Sequence, residues 1–248
     1  MKYLNLLLVF VPVAVAGAML HWPPVLVFLS ASLAVVPLAG LMGRATEELT
    51  AHTGPRVGGF LNATLGNAAE LIITIFAIRE GLLELVKASI TGSILGNILL
   101  VLGLSIFLGG LKHGTQRFDR SQAGLNATML MLAVMALVVP SIFFHGSEVT
   151  HHQAVEHLSL GVAAVMIILY ALSLVYAFNY ARPGTEAKEE RGHAEWSVQR
   201  AAVVLALSTV FIAWLSEILV RAVEPVIEEL GVTEFFLGVI IVPLVGNV

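Results

Sequence analysis

The sequence predicts an all-α, polytopic membrane protein carrying an inverted internal repeat. Three observations predict it. The first is composition: of 248 residues, 58% are hydrophobic and 12% charged, against about 25% charged in soluble domains, and mean hydropathy is +0.91. The second is a succession of apolar runs long enough to cross a bilayer. The third is a Gly-Asn pair, Gly66-Asn67, that returns as Gly246-Asn247, 180 residues on. A net charge of −4 with no basic excess gives no support for nucleic-acid binding. With no cysteine, a disulfide framework and a thiolate metal site are both excluded.

A spanning helix needs about 20 mostly apolar residues. Segments that qualify run roughly over 3–20, 25–43, 58–78, 88–111, 123–144, 157–180 and 199–221, with an eighth beginning near 235. Lys2 followed by an apolar run with Ala14, Ala16 and Ala18 has some features of a secretory signal. A second apolar segment follows almost at once, so the run is read as a first spanning helix. Turn and charge chemistry marks the breaks: "HWPP" at 21–24, "GRATEELTAHTGPR" at 43–56, "KHGTQRFDR" at 112–120 and "ARPGTEAKEERGHAEW" at 181–196. The last is the most polar stretch and reads as a linker between two halves.

Cytoplasmic loops are enriched in Lys and Arg. With the N-terminus inside, the inner set is Lys2, Arg44, Arg56, Lys112, Arg117, Arg120, Arg182, Lys188, Arg191 and Arg200; the outer set is Arg79, Lys87 and Arg221. The N-terminus and the linker are therefore expected in the cytoplasm. The final stretch, "GVIIVPLVGNV", is apolar to its last residue and holds only about half a spanning helix. The chain is expected to be a fragment of a longer protein.

The two Gly-Asn pairs sit in related surroundings, "GGFLNATLGNA" from Gly58 and "GVIIVPLVGNV" from Gly238, each preceded by an acidic "EEL". Five helices separate equivalent points, and an odd number of crossings inserts the second copy upside down. Inverted repeats with glycine-interrupted helices mark many secondary transporters.

The polar residues within these runs point to the chemistry. Asn62, Gly66 and Glu70 are four apart, as are Ser93 and Asn97 in the next run, and such spacing places residues on one helix face. Gly92 and Gly96 allow close approach of another backbone. Two adjacent antiparallel helices can thus turn oxygen-bearing stripes toward each other. Hard cations such as Ca²⁺ take six to eight oxygens from carboxylates, carboxamides, carbonyls and water. Glu70 supplies charge, Asn67, Asn97 and Ser93 supply neutral oxygens, and Gly66 can loosen the helix to release carbonyls. No His or Cys lies in either stripe, which argues against zinc or copper. Desolvation favours the neutral carboxyl group and a bound cation favours the carboxylate, so proton and metal compete for Glu70. That competition is the coupling an exchanger needs.

Blander readings stand beside these. Asn62 and Thr64 serve equally well as helix-to-helix hydrogen-bonding residues, whereas a carboxylate at mid-membrane costs about 3 kcal/mol to insert and marks function by default. Glu217 is a second intramembrane acid close to the outer end and within reach of water. Glu47 and Glu48 either gather cations at the cytoplasmic mouth or form a solvated face. The loop with His145, Glu148, His151, His152, Glu156 and His157 reads as wet rather than metal-binding. Glu186, Glu189, Glu190 and Glu195 of the linker read as solvated, offset by Arg182, Lys188 and Arg191. "NAT" at 62–64 and 126–128 matches the glycosylation pattern but lies in or beside spanning segments. An intramembrane enzyme would need a nucleophile–base pair or a motif such as His-Glu-x-x-His, and the sequence carries neither; a purely structural protein leaves Glu70 and the repeat unexplained.

With "GNAAELI" at 66–72, "GSILGNILLVLG" at 92–103, "VPLVGN" at 242–247 and "ATEEL" at 45–49, the chain resembles the Ca²⁺/H⁺ exchangers of the cation/calcium exchanger superfamily over its whole length. The resemblance implies one extra helix (1–22), a first five-helix repeat (23–180), a cytoplasmic linker (181–197) and the start of a second, inverted repeat (198–248), or about 7.5 of 11 helices. It implies that Glu70 is the first of two ion-binding carboxylates, with Gly66 and Asn67 opening its motif. Ser93 and Asn97 are implied as ligands from the fourth helix. Gly246 and Asn247 open the second motif, whose glutamate would fall beyond Val248. One carboxylate leaves a divalent ion undercompensated in a low-dielectric site, so the 248 residues alone are expected not to transport. The implied partners are Ca²⁺ and H⁺ as transported ions and the lipid bilayer, with no cofactor, and the implied location is a bacterial or archaeal cytoplasmic membrane. Exchange of Na⁺ for Ca²⁺, or of H⁺ for Mn²⁺, stays open.

Overall fold

The computed structural model describes residues 4–118, 120–146, 152–180 and 194–246. Among these there is no β-strand. A 3₁₀ stretch, Leu4–Val9, leads into α1 (Phe10–Met19). The chain turns at His21, whose φ is 54°, and Pro24 at the first position starts α2 (Pro24–Leu65), where a missing N–H costs nothing. Then come α3 (Ala68–Arg79), α4 (Leu83–Leu95), a π-helical stretch (Gly96–Leu102) and α5 (Gly103–His113). They are followed by α6 (Arg120–Gly146), α7 (His152–Tyr180), α8 (Val198–Arg221) and α9 (Val223–Leu230). A single turn α10 (Glu234–Phe236), a second π-helical stretch (Leu237–Ile241) and α11 (Val242–Gly246) close the described chain.

Among the described residues, five stretches are long and apolar enough to cross a membrane: Pro24–Gly54, Leu83–His113, Ala123–Ile142, Glu156–Tyr176 and Val198–Leu230; Leu4–Met19 and Glu234–Gly246 are shorter. Two expectations are corrected. The stretch 43–56 was expected to be a break between spans, yet α2 continues through it to Gly54. Thr46 caps the carbonyl of Met42 (2.9 Å), Arg44 and Glu48 pair one turn apart, and no helix breaker intervenes before Gly54-Pro55. There Gly54 takes φ 82°, ψ 171°, a left-handed conformation open to glycine. The second correction concerns 58–78, expected as one helix. It is interrupted at Gly66-Asn67, two weak helix formers, with Asn67 at φ −106°, ψ 12° as the residue before α3.

The chain forms two compact units, residues 1–108 with 183–248, and residues 109–182. In the first, α2 and α8 form the most extensive helix pair, flanked by α1 and α3. Ala31, Ala34, Val35, Leu38, Ile73, Ile212, Leu215 and Leu219 are buried in its core. The small side chains let helices approach closely, the usual means of association in lipid. In the second unit α6 packs along α7. Both expose apolar residues such as Met131 and Ile167, as suits helices facing hydrocarbon.

Candidate cation site

Glu70 lies in the first turn of α3. The helix N-terminus carries partial positive charge that stabilises a carboxylate there, so the interruption at Gly66-Asn67 has an electrostatic consequence: it places Glu70 at a helix start. Ser93 of α4 donates a hydrogen bond of 2.5 Å to Glu70 Oε1. Thr74, one turn further along α3, bonds the Glu70 carbonyl at 3.0 Å.

The last described residue, Gly246, packs against the same acid. A Cβ on Gly246 would stand 2.5 Å from Glu70 Cγ, a distance real side chains do not tolerate. Close approach also governs α4 and the Leu237–Ile241 stretch. A Cβ on Gly92 would meet the Val239 carbonyl, and one on Gly238 would stand 2.7 Å from the Leu85 carbonyl. The expected role of Gly92 is thus met, while Gly96 has no such neighbour. Gly96 instead opens the π-helical stretch containing Asn97, and such widened turns occur frequently at functional sites.

A cavity of about 240 Å³ is lined by Ala39, Met42 and Gly43 of α2, Leu65 and Gly66, Ala69 of α3, Asn97 and Val101, and Gly246; Ala69 and Gly246 adjoin Glu70, which is itself not part of the lining. Two of the sequence-predicted residues meet Glu70 directly, Ser93 by hydrogen bond and Gly246 by packing, while Gly66 and Asn97 line the neighbouring cavity. Asn67 is exposed and makes no capping hydrogen bond through its side chain. Asn247 lies outside the described residues. Because the chain is interrupted at 66–67, Asn62 and Glu70 do not share one continuous helix face, and the Thr64 hydroxyl bonds its own helix at Phe60 (2.8 Å). Among the described residues no three His, Cys, Asp or Glu side chains gather as a metal site. The donors that meet there, the Glu70 carboxylate and the Ser93 hydroxyl, are oxygens, suited to a proton or a hard cation.

Elsewhere, Glu217 pairs with Arg221 at 2.7 Å and is 40% exposed, near the end of α8. Glu47 is exposed. Glu48 fits neither the mouth nor the solvated-face reading: it is 8% exposed and accepts from the Trp196 backbone N–H at 3.1 Å. Glu195 is 72% exposed and pairs with Arg44 at 2.6 Å. Arg182, Glu186, Lys188, Glu189, Glu190 and Arg191 lie outside the described residues, as do Glu148 and His151. Glu156 and His157 are exposed. Sequence reasoning missed the α2 wall of the cavity and the role of Trp196. The small residues of "LAGLMG" at 38–43 were the available signal for the wall.

The family model of the sodium/calcium exchanger protein matches residues 23–179 and 200–248. The chain is 44% identical over 243 residues to the Ca²⁺/H⁺ antiporter ChaA of Bacillus subtilis (strain 168), covering 96% of this chain and 68% of that protein. It is 41% identical over 264 residues to a Ca²⁺/H⁺ antiporter of Synechocystis sp. (strain ATCC 27184 / PCC 6803 / Kazusa), covering 99% and 71%. It is 39% identical over 261 residues to vacuolar cation/proton exchanger 3 of Oryza sativa subsp. japonica, covering 98% and 62%. Among solved structures, native YfkE superposes with a TM-score of 0.82 at 39% identity, covering 98% of this chain and 69% of that chain. With over four fifths of its residues inside the family model, this all-helical, multi-pass membrane chain belongs to the sodium/calcium exchanger protein family.

Proposed function

We propose that this chain belongs to a secondary transporter that exchanges Ca²⁺ for H⁺ across a membrane by alternating access. The observation that carries the reading is Glu70: an acid at a helix start, bonded by Ser93 and packed against Gly246, which with Gly66 and Asn97 lines a cavity. The antiporters it is similar to support the choice of Ca²⁺ and H⁺. The carboxylate holds the cation with neutral oxygens completing its shell. Protonation removes the charge that holds the metal, so arrival of H⁺ releases Ca²⁺ and departure of H⁺ readmits it. In this reading 23–180 and 198–248 belong to inverted repeats, and the N-terminus and the 181–197 linker face the cytoplasm, as the basic residues direct. The membrane is a bacterial or archaeal cytoplasmic one, and no cofactor takes part.

The test is Ca²⁺ uptake into everted vesicles under an imposed pH gradient, comparing the native protein with Glu70→Gln. The native protein takes up Ca²⁺, more weakly as pH on the Ca²⁺ side falls, and the variant loses coupled uptake. Unchanged coupling in the variant removes Glu70 from the mechanism. Mn²⁺ or Na⁺ replacing Ca²⁺ as the better substrate would overturn the choice of ion.

A further inference from the structure

Trp196 stands at the end of the most polar stretch of the chain, directly before Ser197, whose side chain caps α8. An indole there is expected to be wet. Instead Trp196 is 8% exposed and packs with Ala45 and Ala201, both fully buried. Its backbone N–H donates to Glu48 Oε2 at 3.1 Å. Its carbonyl accepts from His52 Nε2 at 2.8 Å; since a carbonyl only accepts, that ring nitrogen carries a proton. The guanidinium carbons of Arg44 and Arg200 each lie 4.7 Å from the ring centroid, within cation–π range. Arg44 also reaches Glu195 at 2.6 Å.

Arg44, Glu48 and His52 are spaced four apart, so one face of α2 grips a single residue at the entrance to α8. Within a turn and a half before Arg44, the same helix supplies Ala39, Met42 and Gly43 to the cavity wall. Met42 is tied to α8 as well, its sulfur accepting from Thr209 Oγ1 at 3.6 Å. Grip and wall thus occupy neighbouring turns of one helix. The group is charge-balanced, with Arg44 and Arg200 offsetting Glu48 and Glu195. Buried backbone and carboxylate groups are costly unless bonded, and here each is bonded through Trp196 or Arg44.

We propose that Trp196 is a positioning residue for exchange. It staples the start of α8 to α2 so that the two helices move as one body, and so sets where the α2 wall stands against the ion. The proposal rests on the exchange reading above.

The test uses the native protein in everted vesicles, with Ca²⁺ as the probe and rates normalised to folded protein. The sequence has no cysteine, so Ala45→Cys with Ala201→Cys, two positions packed in one cluster with Trp196, supplies the only thiol pair, and loss of free thiol on oxidation verifies that it has closed. Trp196→Ala raises KM for Ca²⁺ about tenfold, the population shift expected when two cation–π contacts are lost. Trp196→Phe, which keeps a ring and the backbone bonds, stays near native. The oxidised pair exchanges within twofold of its reduced form, and in the Trp196→Ala background it restores KM. A purely structural role would lower the amount of folded protein and leave KM alone. KM within twofold of native in Trp196→Ala, or loss of exchange on closing the cross-link, overturns the proposal. If Trp196→Ala does not accumulate, the oxidised triple variant carries the measurement. Failure of the unmodified protein to take up Ca²⁺ would strike the exchange reading instead.

Discussion

The Ser93 hydroxyl and the Glu70 carboxylate, 23 positions apart in the chain, meet at 2.5 Å across two helices. A hydroxyl bonded to an ionised carboxylate is worth more than a neutral pair, on the order of 1.5–3 kcal/mol. Ser93→Ala is therefore expected to weaken Ca²⁺ binding roughly tenfold. Initial-rate uptake against Ca²⁺ concentration checks this, with Ser93→Thr keeping most of the affinity. A KM equal to native in Ser93→Ala would detach Ser93 from the site.

Gly246 is a steric partner of the same acid. Its missing Cβ leaves the space into which Glu70 Cγ packs, and an added methyl would stand 2.5 Å away. Gly246→Ala is expected to displace the carboxylate and cut exchange at least roughly tenfold, since a displacement of about 1 Å can cost 10²-fold. Uptake per folded protein measures it. Native rates in this variant would show that Glu70 has room the geometry denies it.

Two glycines of one run should respond in opposite ways. Gly92 faces the Val239 backbone, which cannot step aside, whereas Gly96 has open space. Gly92→Ala is expected to destabilise by about 1–3 kcal/mol through overpacking, read as a lower melting temperature in detergent. Gly96→Ala should leave melting unchanged or raise it, because alanine is the better helix former. Equal losses in both would mean that α4 does not pack as described.

Glu217 is a different kind of acid. Its partner Arg221 is 64% exposed, and Arg221 also reaches Glu80 at 3.3 Å. Exposed pairs contribute about 0–1 kcal/mol. Glu217→Gln should retain exchange within about twofold, as expected from a pair that weak. A loss comparable to that of Glu70→Gln would give Glu217 a place in the ion path.

How much of this was legible in the linear chain differs from element to element. That 3–20, 123–144 and 157–180 belong to apolar helices follows from run length and composition, properties of neighbouring residues. The weight placed on Glu70 follows from the cost of an acid among Leu, Ile and Phe. The stretch 43–56 misled because its polar residues resemble a loop, whereas Arg44, Thr46 and Glu48 find partners on their own helix and on Trp196. The interruption at Gly66-Asn67 was readable only as weakness, since propensity does not say whether a helix bends or restarts.

Sequence alone determined the class of molecule, the family it resembles and the residue most costly to place in lipid, because each depends on hydrophobicity and spacing along the chain. Tertiary structure alone decided that Ser93 and Gly246 close on Glu70, that α2 walls the cavity, and that Trp196 is gripped between two helices. Those facts are pairings between distant segments, and a pairing is set by which backbones can approach and which buried polar groups must find partners.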